Sequence, residues 1–350
     1  MLNQSTGSTL TPTSGGQLWS APHRLVLTIM WLVTTVTIIT MLLLNVRDTG
    51  RYSEVCYILQ ASYVAALIWY LSRSGTPTSQ LPKVRPLVLQ KWRYSVWIPV
   101  LVIAIIFILI LTAMSDGDLG ILLLLIVATW WILLAWHRQV QIRSVIQGLA
   151  LALIVYLAGL PMFNNGSISE IAFYGLLINV PPMYIAGGLL VHRTRLGGVQ
   201  LLDKRYWQAL RSFFWGCLLF VPLGLINAAV VSPSPNMTWV SEWWIPFTIP
   251  WFSAIAEETW FRLLLVGLCY FTLRPAFPSR PAVPMIIAVL FSAITFGLGH
   301  GGTYLERFLV TGLLYGLPMA VVFARRDWEH AVGAHYMINM IPTLMVFLGT

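Results

Sequence analysis

Three apolar stretches near the C-terminus carry, in order, Glu257-Glu258-Thr259-Trp260-Phe261-Arg262, then Phe296-Gly297-Leu298-Gly299-His300, then His335-Tyr336-Met337-Ile338-Asn339. Carboxylates and imidazoles move protons, and imidazoles and carboxamides donate to oxyanions that form when a carbonyl is attacked. A charged side chain at the centre of a membrane helix costs about 3 kcal/mol on an insertion scale. A chain that otherwise keeps charge out of its apolar segments is not expected to hold three such residues without a use. Two Glu, two His and an Asn on separate helices read as a hydrolytic site within a bilayer.

Spacing divides the labour. Glu258 and Arg262 are four apart, share a helix face and can pair. Glu257 is turned about 100° from Glu258 by the helical repeat, so it faces a different wall. Glu257 is read as the base, and Glu258 with Arg262 as the brace. Phe296 lies one turn before His300, on the same face, and is expected to pack beside its imidazole. His335 and Asn339 again share one face. Each motif alone has a plainer use. A Glu–Glu–Arg group can be a packing network, a His at a segment end can be interfacial, and His or Asn often bridges membrane helices.

The elements that must position these groups are membrane helices. Of 350 residues, 58% are hydrophobic and 9% charged, against about 25% charged in soluble domains. The mean hydropathy is +0.78. The net charge of +9 belongs to loops, not to a nucleic-acid-binding face. Trp97, Trp136, Trp243 and Trp244 fall near segment ends, as in an interfacial belt. Cys56, Cys217 and Cys269 are far apart in apolar runs and read as free buried thiols. His23, His137, His192 and His330 sit at segment ends and read as interfacial. Asn227 and Gln60 read as helix-to-helix hydrogen-bonding groups.

The expected fold is an all-α, polytopic transmembrane bundle of about eleven spanning helices (10–11). The spans fall near 25–46, 54–72, 95–114, 119–136, 145–163, 171–191, 208–231, 245–273, 282–300, 308–324 and 330–349, each near the 20 residues a bilayer core needs. Basic loops alternate with acidic ones, and the positive-inside rule puts the N-terminus in the cytoplasm. Residues 1–23 read as a disordered tail, 24–206 as a helical scaffold of about six helices, and 207–350 as the site-bearing core. The run Leu25 to Val46 is too long for a signal-peptide core and reads as an anchor.

Taken together, the three motifs resemble the CPBP family of intramembrane endopeptidases, which includes the type II CAAX prenyl proteases. That family's pattern is EExxxR, FxxxH and HxxxN on separate membrane helices. Glu257, Glu258, Arg262, Phe296, His300, His335 and Asn339 fill all seven positions, and the resemblance covers about residues 245–345. It implies that Glu257 and His300 activate a water, that His335 and Asn339 hold the oxyanion, and that Glu258 and Arg262 orient the site. It also implies a membrane-associated, sometimes prenylated, peptide or protein as substrate.

No cofactor is favoured. The competing reading is a zinc site of Glu257, His300 and His335 with water in the fourth position, although no HExxH helix is present. Two other classes stand beside the protease: a non-enzymatic scaffold or immunity-type protein of the same fold, and a proton-relaying transporter. The latter predicts matching halves, and none is visible. Membrane lipid is an expected partner, nucleic acid is not, and oligomeric state cannot be read. Short loops and cationic cytoplasmic edges favour a prokaryotic plasma membrane.

Overall fold

The computed structural model describes residues 22–43, 52–74, 118–230 and 240–349. These form helices joined by short turns, with no strand among the described residues. In chain order they are α1 (Pro22–Leu43), α2 (Tyr52–Ser74), α3 (Asp118–Ala135), α4 (Ile142–Asn164), α5 (Glu170–Thr194), α6 (Tyr206–Val230), α7 (245–273), α8 (Ala282–Leu298), α9 (Tyr304–Arg325) and α10 (Trp328–Gly349). Among the described residues, seven helices are long and apolar enough to cross a membrane: α1, α2, α4, α5, α6, α9 and α10. The protein is a multi-pass integral membrane protein. Of the expected tail over 1–23, residues 1–21 lie outside the described residues, while Pro22 and His23 open α1; the expected third span over 95–114 also lies outside the described residues.

One expected span is shorter than drawn: α8 covers Ala282–Leu298. α8 stops at Leu298, so His300 lies in the turn beyond it rather than closing the helix. The long eighth segment is one continuous helix. It opens with Pro246 in its first turn, where a missing N–H leaves nothing unpaired.

The outer faces are apolar. Leu25, Leu134, Ile142 and Trp207 are more than half exposed. The polar groups are turned inward, which is the order expected of a bundle in hydrocarbon. Cys56, Cys217 and Cys269 are buried and not joined in disulfides.

Two close helix pairs hold the C-terminal core in place. α10 packs along α6 at small residues. A Cβ on Gly216 would run into the His330 carbonyl, and one on Gly333 into the Phe213 carbonyl. α8 packs along the first part of α9. There a Cβ on Gly297 would meet the Arg307 carbonyl, and one on Gly316 would come 3.0 Å from the Ala293 carbonyl oxygen. With so little hydrophobic drive between helices in lipid, such close backbone approach supplies the packing.

The start of α10 is tied to the α5–α6 turn. Trp328 N–H donates to the Gly198 carbonyl at 2.8 Å. Glu329 Oε1 accepts from Leu201 N–H at 2.9 Å. Asp327 Oδ1 accepts from the backbone N–H of His330 at 2.9 Å and from its ring Nδ1 at 2.8 Å. Its Oδ2 accepts from Ser212 Oγ at 2.9 Å. His330 is therefore a partner in a buried network, not the interfacial group expected from its position. Burial pushes the Asp327 carboxyl up, but the hydrogen bonds and charge of His330 outweigh it and hold the group below the usual carboxylate range. These ties fix the height of α10, and with it the height of His335 and Asn339.

Candidate active site

Glu257 and Glu258 stand where α7 changes its winding. Ile245–Glu257 is α-helical, Glu258–Val266 is π-helical, and Gly267–Leu273 is α-helical again. The wider π turn is uncommon and recurs at functional sites. Here it carries Glu258, Thr259 and Arg262, all fully buried. Buried charges require partners, and each is supplied. Glu258 Oε2 lies 3.2 Å from Arg262 Nε. Glu258 Oε1 lies 2.8 Å from His335 Nδ1. Arg262 Nη1 donates to Ser292 Oγ at 2.9 Å.

Phe296 sits between the polar groups. The Arg262 guanidinium stands over its ring, 4.6 Å from the centroid. The His300 ring is 4.4 Å away and the His335 ring 5.8 Å away. One aromatic ring thus packs against the Arg262 guanidinium and both imidazoles.

The two histidines are fixed in the same sense. His300 Nδ1 is 2.7 Å from the Phe296 carbonyl oxygen. A carbonyl only accepts, so Nδ1 carries the proton. His335 Nδ1 faces a carboxylate that is itself paired with Arg262, so it too is the donor. Both Nε2 atoms are then left to face Glu257. His300 Nε2 is 3.6 Å from Glu257 Oε2, and His335 Nε2 is 3.8 Å from the same oxygen. That oxygen has no hydrogen-bond partner in the protein. Glu257 is 23% exposed and the His300 side chain 36%, whereas His335 is 4% exposed. One wall of the cluster is thus sealed and the other is open.

Asn339 is one turn beyond His335. Its Nδ2 donates to Ser253 Oγ on α7 at 2.8 Å. The structure therefore brings Glu257, Glu258, Arg262, Phe296, His300 and His335 into one cluster, with Asn339 bound beside it. Sequence reasoning missed Ser292 and Ser253. A lone serine in an apolar helix carries no signal of its own. A signal was available for Ser292, which precedes Phe296 by four residues and so shares its helical face. Asn227, expected to bridge helices, donates to the Ile338 carbonyl of α10 at 3.1 Å. Among the described residues, no group of three His, Cys, Asp or Glu side chains is placed to hold a metal ion.

The structure thus gathers a buried ion pair, two oriented imidazoles and a partly open carboxylate within a helical membrane bundle. Residues 239–341 match the family model described as type II CAAX prenyl endopeptidase Rce1-like. That segment is similar to the CPBP, CAAX protease-like family of membrane peptidases. The match runs from just before α7 into α10 and contains all seven residues of the three motifs. No curated protein and no solved structure matches the chain.

Proposed function

We propose that the protein is an intramembrane endopeptidase that hydrolyses a peptide bond of a membrane-associated peptide or protein, with Glu257 as general base. The single observation that carries the reading is the convergence of the His300 and His335 Nε2 atoms on an otherwise unpartnered Glu257 oxygen. Separations of 3.6 and 3.8 Å are long for direct hydrogen bonds and suit a water held between the groups.

The steps follow from which atoms are free. Glu257 takes one proton from the water while His300 Nε2 accepts a hydrogen bond from it. The oxygen adds to the scissile carbonyl. His335, whose Nδ1 is bound to Glu258, donates from Nε2 to the oxyanion when protonated. Asn339 Nδ2 has a second hydrogen beyond the one given to Ser253, and it is the other oxyanion donor. Collapse breaks the C–N bond, and the proton held by Glu257 passes by way of His300 to the leaving amine. Glu258 and Arg262 touch no substrate and orient His335. In this reading the water is activated without a metal.

The wider frame belongs to the same proposal. It comprises eleven spans with a cytoplasmic N-terminus, a scaffold over 24–206, a catalytic core over 207–350, and residence in a prokaryotic plasma membrane. The test is cleavage of a fluorogenic peptide panel, prenylated tails included, by purified protein in detergent. Wild type is run beside Glu257→Gln, each with and without a strong chelator. Cleavage that survives chelation and vanishes in Glu257→Gln is the expected result. Cleavage by the Gln variant at the wild-type rate overturns the assignment. Loss to the chelator and recovery with zinc would make Glu257, His300 and His335 ligands instead.

A further inference from the structure

We propose that Ser292 is a positioning residue of this site, acting on His335 through Arg262 and Glu258. The inference rests on the peptidase reading given above. Ser292 is fully buried on α8. Its hydroxyl lies 2.9 Å from Arg262 Nη1 and 2.7 Å from the Phe261 carbonyl oxygen. The direction of both bonds is forced. A guanidinium only donates and a carbonyl only accepts, so the serine oxygen accepts from Arg262 and its single proton goes to Phe261. The hydroxyl therefore has one orientation, and so does the guanidinium edge that it receives.

That edge determines what Glu258 presents. With Nη1 held by Ser292, Arg262 Nε meets Glu258 Oε2 at 3.2 Å. The other carboxylate oxygen is thereby left for His335 Nδ1 at 2.8 Å. His335 is pinned with its proton on Nδ1 and its Nε2 toward Glu257. The same hydroxyl ties α8 to the π-helical stretch that carries Glu258 and Arg262. Ser292 and Phe296 thus share one face of α8, which leads to His300 in the turn beyond; Ser292 aims the brace and His300 enters the chemistry.

Removing the hydroxyl leaves a buried donor on Arg262 without a partner. It also frees the Phe261 carbonyl as a competing acceptor for the guanidinium. Arg262 is then drawn away from Glu258, and His335 loses the partner that fixes its ring. Loss of an outer hydrogen-bond partner of this kind lowers activity by about 10–100-fold in metal sites with the same logic. Ser292 reaches no substrate, so the loss falls on kcat and leaves KM unchanged. Ser292→Thr, which keeps the hydroxyl, restores most of the rate.

The experiment is steady-state cleavage by purified protein in detergent for wild type, Ser292→Ala, Ser292→Thr, Glu258→Gln, the double variant Glu258→Gln with Ser292→Ala, and Glu257→Gln. Each variant is assayed well below its own melting temperature. The expected result is a kcat loss in Ser292→Ala, recovery in Ser292→Thr, and no further loss when Ser292→Ala is added to Glu258→Gln. Residues acting in one chain are non-additive in this way. A kcat for Ser292→Ala within about twofold of wild type, a full additional loss in the double variant, or a rise in KM overturns the inference. Its failure is separable from that of the peptidase reading. An inactive Glu257→Gln beside a fully active Ser292→Ala sinks only the role of Ser292. A Glu257→Gln variant that cleaves normally, or a wild type that cleaves no member of the panel, overturns both.

Discussion

Replacing Arg262 by Ala should destabilise the protein more than any other single change to the cluster, for a reason that can be sized. Arg262 and Glu258 are both inaccessible to solvent and 3.2 Å apart. Breaking a buried pair by removing one partner costs about 3–5 kcal/mol, because the survivor is a buried charge without compensation. The same change strips the Phe296 ring of the cation 4.6 Å above it and the Ser292 hydroxyl of its donor. For a chain of this size the loss corresponds to a fall in melting temperature on the order of 5–10 °C. Arg262→Lys should not rescue it, since an ammonium cannot reach Glu258 and Ser292 with a fixed fork. Removing both charges should rescue it. The double variant Glu258→Gln with Arg262→Met leaves a carboxamide oxygen for His335 Nδ1 and no net charge, and should recover more than half of the lost melting temperature while remaining poorly active. The assay is thermal unfolding of purified protein in detergent, followed by tryptophan fluorescence, with cleavage measured in parallel. An Arg262→Ala protein that melts with wild type, or a double variant no more stable than Arg262→Ala, would refute the brace as described.

Three further outcomes are expected. His300→Ala should lower kcat by about 10²–10⁴-fold with little change in melting temperature, because the imidazole is more than a third exposed and lies beyond the end of α8; an equal loss of stability would show it to be structural. Gly333→Ala should destabilise by about 1–3 kcal/mol, since its methyl meets the Phe213 carbonyl across the α6–α10 contact; a protein melting with wild type would mean that the contact is loose. Asp327→Asn should lower the melting temperature at pH 7 but not at low pH. The folded carboxyl is held below its ordinary value of about 3.9, so its stabilisation is complete above that value and lost as pH falls through the folded one. A gap between wild type and variant that stays unchanged as the pH falls through the acid range contradicts the network around His330.

The pairing of Glu258 with Arg262 was legible in the spacing, because four residues bring side chains together whether the turn is α or π. So was the approach of Phe296 to His300. The separate wall for Glu257 also followed from rotation about the helix axis. The π stretch over Glu258–Val266 was not legible. It packs against α5 and α8, and no local propensity marks it. The second bond of Glu258, to His335, escaped because it joins helices far apart in sequence, and a brace read only as Glu–Arg leaves one carboxylate oxygen unassigned. His330 was misplaced for a related reason. Its partner Asp327 is only three residues away, yet a segment end rich in Arg looked like an interface. Hydropathy also drew α8 too long, running through Gly299 to His300, where the helix had already ended.

The geometry of the brace bears on how the chain is made. Glu258 and Arg262 lie on one helix within a single turn and neutralise each other. α7 can therefore enter the bilayer as a nearly uncharged segment, with neither α8 nor α10 yet present to receive it. The bonds that aim the pair come later. Ser292 is 30 residues downstream of Arg262, and His335 is 77 residues downstream of Glu258. During synthesis the expensive charges are thus compensated before the bundle closes, and the site acquires its direction only when α8 and α10 arrive. A nascent chain that stops short of α10 would be inserted and electrically balanced, yet without the imidazole that turns a neutral ion pair into working machinery.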